Sequence, residues 1–116
     1  MAAYLIKRTK TNVNRAPVGI IGPVDIYGTA LPNAKWQELD FKGSGGSVAI
    51  AQLDSGTLYK IGADMWGKKG GSLLLEKATT SAGPFSTITT FKIPNNVSGP
   101  NTHVGYYHWD TFIFTA

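Results

Sequence analysis

The stretch Thr57-Leu58-Tyr59-Lys60-Ile61-Gly62-Ala63-Asp64-Met65-Trp66 decides the fold class. Tyr59, Ile61, Ala63 and Met65 share one parity, and Lys60, Gly62 and Asp64 share the other. Side chains alternate across a strand, so this spacing predicts a strand with one buried face. The run Gly67-Lys68-Lys69-Gly70-Gly71 follows and reads as a turn, and Ser72-Leu73-Leu74-Leu75-Glu76-Lys77-Ala78 reads as the returning strand.

The same grammar holds on either side. Candidate strands lie at 35–42, 47–53, 57–66, 72–78, 85–93 and 104–115, separated by Gly43-Ser44-Gly45-Gly46, Asp54-Ser55-Gly56 and Ser81-Ala82-Gly83-Pro84. No window keeps a helical period. Short strands broken by Gly and Pro predict an all-β sandwich or barrel. In the last strand Val104, Tyr106, Phe112 and Phe114 share one parity, while Tyr107, Trp109 and Ile113 share the other. A strand apolar on both faces is buried twice or offers its second face to a partner.

Residues 1–33 differ from the rest. They carry Pro17, Pro23 and Pro32 with Gly19, Gly22 and Gly28 between them, which argues against long regular elements. They are expected to form an extended arm, with the β-domain spanning 34–116. The net charge of +4 belongs to this segment: Lys7, Arg8, Lys10 and Arg15 face no acid before residue 25, whereas residues 25–116 hold seven bases and seven acids. A basic patch across a folded face, the usual footprint of a nucleic-acid-binding domain, is therefore not expected.

The chain has 116 residues and no cysteine, which suits one domain and excludes disulfides, thiolate metal sites and a cysteine nucleophile. Met1–Ile6 is too short for the apolar core of a secretory signal and precedes the bases, and no stretch has the length of a membrane helix. A protein made in the cytoplasm, not exported and not membrane-bound, is expected. Gly62 to Lys68 matches the start of a phosphate-binding loop, but Lys69 stands where a hydroxyl must bind Mg²⁺, and a strand follows where a helix is needed. His103 and His108 fall on opposite faces of a strand, so they are no metal pair. Glu38 and Glu76 read as solvated strand residues, and Asp40, Asp64 and Asp110 lack the spacing of a calcium loop. Asn96-Val97-Ser98 matches a glycosylation sequon that has no role without export. No enzyme, cofactor or metal is expected. What remains is aromatic: Trp36, Trp66 and Trp109 each accompany a strand, and Tyr106, Tyr107 and Trp109 cluster with His108 and Asp110. Core packing is one use of such rings, and a glycan platform or protein anchor is the other.

The run Gly56 to Trp66, its Gly/Lys turn and Ser72 to Glu76 resemble the central hairpin of jelly-roll carbohydrate-binding modules and galactose-binding-like domains. The ending Trp109-Asp110-Thr111-Phe112-Ile113-Phe114 is similar to their closing strand, and Ala78 to Ile88 resembles a hairpin of fibronectin-type and phage virion β-domains. The resemblance implies a single antiparallel β-sandwich of jelly-roll character. A small cysteine-free sandwich with a basic arm resembles the accessory structural proteins of tailed-bacteriophage particles, such as capsid decoration proteins. This implies a non-enzymatic virion protein, a homo-oligomer bound to the major capsid protein through Lys7, Arg8, Lys10, Arg15, Ile20 and Ile21. The alternative is a carbohydrate-binding module using Trp66, Tyr107 or Trp109. Binding of nucleic acid by the arm is a third, weaker possibility, since four charges support only salt-sensitive contacts.

Overall fold

The computed structural model describes residues 2–41 and 48–116, with the side chains of 2, 8–10, 14–18, 48 and 49 outside the description. It is all-β and antiparallel. Among the described residues six strands run in chain order: β1 (Ala2–Pro23), β2 (Gln37–Asp40), β3 (Val48–Asp54), β4 (Leu58–Ala78), β5 (Ser86–Lys92) and β6 (Tyr106–Thr115).

Two long strands organise everything else. β1 and β4 pair antiparallel from Tyr4↔Ala78 to Pro23↔Tyr59. One end of this ribbon is flanked by β3 on β1 and β5 on β4, and the other end by β2 on β1 and β6 on β4. The register shifts four times between Lys7 and Val18. Each bulge bends the ribbon and raises its twist, so its two ends fold over one another. The edges approach as β5 nears β6 and β2 nears β3, which leaves the sheet nearly closed. The molecule is 19 Å thick in its shortest dimension, about two packed sheet layers.

Both ends feed one core. Leu5, Leu53, Leu73, Leu75 and Phe91 from one end join Ile21, Leu39, Ile61, Ala63, Met65 and Phe114 from the other. The inward set expected in 57–66 is found inside: Tyr59 is nearly buried, and Ile61, Ala63 and Met65 are fully so.

Two expectations are corrected. Residues 67–71 make no turn, because β4 continues through them. Their glycines serve the opposite strand. A Cβ on Gly71 would lie 2.6 Å from the carbonyl oxygen of Asn12, and one on Gly67 would strike the same atom. Asn12 itself has φ 55° at a bulge, and only glycine admits backbone this close.

The second correction concerns the arm. Most of it is the central strand β1, paired on both sides, so a boundary at residue 33 divides nothing. Its prolines fall where a ladder donor is dispensable: Pro17 lies between Arg15 and Val18, at a register shift, and Pro23 ends the strand. Leu5, Ile6, Lys7 and Ile21 are buried. Lys7 Nζ donates to the Phe41 carbonyl at 3.2 Å, a contact that an ammonium inside a protein requires.

Candidate functional site

The candidate surface is built by β6, the first half of β4, the second half of β1 and β2. On β6, Tyr107, Trp109, Thr111 and Ile113 point outward and are exposed, while Phe114 is buried. The register places Tyr107 opposite Trp66, Trp109 opposite Asp64, Thr111 opposite Gly62 and Ile113 opposite Lys60. Across β1, Ile20 pairs with Gly62 on one side and Glu38 on the other. Each strand therefore contributes every second residue to one outer lattice.

One end of the lattice is an aromatic pair with a polar tip. The Trp66 and Tyr107 ring centroids lie 5.1 Å apart at 56°, a tilted contact of favourable geometry. Tyr107 Oη donates to Asp64 Oδ1 at 2.7 Å. This hydrogen bond, with lesser contributions from desolvation and the negative charge of Asp64, raises the Tyr107 pKa above the ordinary phenol value.

The other end is a trough of about 310 Å³ lined by Ile20, Gly28, Ala30, Trp36, Lys60, Gly62, Trp109 and Thr111. Two glycines seat its indole walls. Gly62 lies beneath the Trp109 ring, where a Cβ would come within 2.5 Å of Cη2 and Cζ2. Gly22 lies likewise beneath Trp36. At both places the missing side chain lets an indole lie on the sheet. Trp109 nevertheless keeps 45% of its surface exposed, so its seat is not a core position.

Beside the trough a tight loop projects. Asp25 Oδ1 accepts from the amides of Tyr27 and Thr29 at 2.8 and 3.0 Å, and Val24 bridges Ala30. The loop holds Ile26 and Tyr27 at its tip, 82% and 85% exposed. Its Gly28 lies against Ile113, leaving space only for a hydrogen there.

The residues singled out from sequence are sorted by this geometry. Trp66, Tyr107 and Trp109 come together on one face. Ile20 lines the trough from β1. Lys7 and Ile21 are interior, so neither is available to a partner. The side chains of Arg8, Lys10 and Arg15 lie outside the described residues, as does the glycine turn at 43–46. His103 stacks edge-on against Tyr106 at 4.7 Å, whereas His108 Nε2 lies 3.6 Å from Asp110 Oδ2, so the histidines serve separate contacts. Among the described residues no three His, Asp or Glu side chains gather to hold a metal ion. Sequence reasoning weighs Trp36 with the other tryptophans but does not place it beside Trp109, and it misses Lys60, Thr111 and the Ile26–Tyr27 tip. A signal was present at Gly62, a glycine on the outward parity of an otherwise strong strand.

No family model, curated protein or solved structure matches the chain.

Proposed function

We propose that this is a non-enzymatic binding protein, an accessory structural component of a virion, that docks on its particle through folded surface. The observation carrying the docking is the Ile26–Tyr27 tip. Two large apolar side chains almost fully in water, held by the Asp25 hydrogen bonds, form an ordered anchor that a protein partner would cover. The virion assignment rests on the sequence resemblance. With Lys7 and Ile21 interior, anchoring by a free basic arm has lost those two residues, and the tip with Ile113 takes its place. The test is co-sedimentation with purified particles, or with assembled capsid protein, comparing the natural chain with an Ile26→Asp, Tyr27→Ser variant. Loss of particle binding by a folded variant supports the reading, and undiminished binding rejects the tip as anchor.

A second reading is favoured by a separate observation. The Trp66–Tyr107 pair and the Asp64 carboxylate set flat apolar rings beside hydrogen-bonding groups, a combination suited to a saccharide, which has apolar ring faces and hydroxyl edges. Retardation of the folded protein in polysaccharide gels, lost on Tyr107→Ala or Trp109→Ala, supports it. The two readings use neighbouring surfaces and are compatible.

A further inference from the structure

The trough between the two tryptophans has a chemistry of its own. Its lining is two indoles, Ile20, Ala30, two glycines, and only two polar side chains, Lys60 and Thr111. Lys60 has no ion-pair or hydrogen-bond partner among the described residues, although it lies on a sheet face that also carries Asp64 and Glu38. We propose that this trough holds one pyranose ring of a glycan, stacked on the indole of Trp109 or Trp36, with Lys60 Nζ and the Thr111 hydroxyl donating to its oxygens. This rests on the saccharide reading above and gives it a position and a donor set.

The occupant follows from the donors. An apolar knob from a protein partner would desolvate the Lys60 ammonium and leave it unpaired, a costly arrangement. A cationic ligand would be repelled by the same group. A ring rich in hydroxyls satisfies both conditions, since its apolar face stacks on an indole while its edge accepts the ammonium protons. Two sources share this chemistry: a neutral sugar accepts through hydroxyls, and a uronic acid accepts through its carboxylate as well. Gly22 and Gly62 seat the two indole walls, because any side chain at residue 22 or 62 would lift an indole off the sheet.

The test titrates the full chain with soluble neutral oligosaccharides (cello-, xylo- and manno-series) and with oligouronates, read by tryptophan fluorescence and amide NMR. The expected result is saturable binding of at least one series, with the amides of Ile20, Gly62 and Thr111 shifting. Lys60→Met and Trp36→Ala should each weaken it by about tenfold or more, while the core amide pattern stays native. Binding of oligouronates alone, lost in Lys60→Met, assigns the carboxylate source; binding of the neutral series assigns the hydroxyl source. Binding that leaves the trough amides unmoved, survives Lys60→Met and Trp36→Ala, and fails with Tyr107→Ala overturns the trough but keeps the saccharide reading. No binding by any series up to about 10 mM overturns both. Self-association abolished by Trp36→Ala and strengthened by Lys60→Met also overturns the proposal, because it assigns the trough to a second copy.

Discussion

Two regions of this chain advertise binding, and the fold treats them oppositely. The basic N-terminal segment is punctuated by Pro and Gly, carries the whole net charge, and looks detachable. It is the central strand, with Leu5, Lys7 and Ile21 inside the molecule. The last strand is dense in aromatic residues and looks like core. Phe114 is core and Tyr106 and Phe112 pack against it, but Tyr107, Trp109 and Ile113 stand in solvent at 56%, 45% and 41% exposure. Composition therefore misplaces both regions. What separates them is partnership: β1 is flanked by other strands on both edges over parts of its length, whereas the outward side chains of β6 rest on their own sheet, Tyr107 on Trp66 and Trp109 on Gly62, and keep much of their surface in solvent.

The largest effect that can break this comparison is deletion of residues 2–23. A dispensable arm would leave a folded remainder. Removal of β1 instead exposes the paired edges of β2, β3 and β4 at once, so the expected product has lost native far-ultraviolet circular dichroism and cooperative melting. Ile21→Ala comes next. A fully buried isoleucine cut to alanine should cost about 2–5 kcal/mol in denaturant unfolding, with no effect specific to ligand or particle binding in the folded fraction.

Trp109→Ala sharpens the other side. Its half-buried ring should contribute about 1–2 kcal/mol to stability, less than Ile21, while its loss removes one wall of the trough and with it the glycan-dependent change in fluorescence. The smallest effect belongs to Asp64→Asn, an exposed change expected to move stability by about 0.5 kcal/mol or less. Its readout is the phenolate absorbance of Tyr107. The hydrogen bond to Asp64, with desolvation and the carboxylate charge, holds the phenol in its neutral form. The variant should therefore release the Tyr107 proton at lower pH than the natural chain does.

The sequence made some of this legible and hid the rest for identifiable reasons. The parity of Tyr59, Ile61, Ala63 and Met65 is local, and it placed one strand and its buried face correctly. The two-faced pattern of β6 was equally readable, including which tyrosine and tryptophan share a face. Gly67 to Gly71 reads as a turn because glycine runs usually mark reversals. Parity cannot correct it, since the inward positions 59–65 and 73–75 are all odd whether the strand runs on or reverses through a five-residue loop. Pro17 hid β1 in the same way, because its tolerance depends on a bulge that only the partner strand defines. The trough was out of reach for a related reason: Trp36, Ile20, Lys60 and Thr111 come from four separate segments, and their meeting depends on registers that no single segment encodes.

The central claim is that the basic segment is a structural strand, and that recognition belongs to the aromatic face that its second half helps to build and not to a free arm. Native-state amide hydrogen exchange on the intact chain tests it most directly, because protection follows the free energy of opening. The amides of Leu5, Lys7 and Ile21 should exchange in the same slow, globally governed class as those of Ile61 and Leu73. Exchange of the β1 amides at near-random-coil rates, with β4 still protected, would contradict the claim and restore the arm.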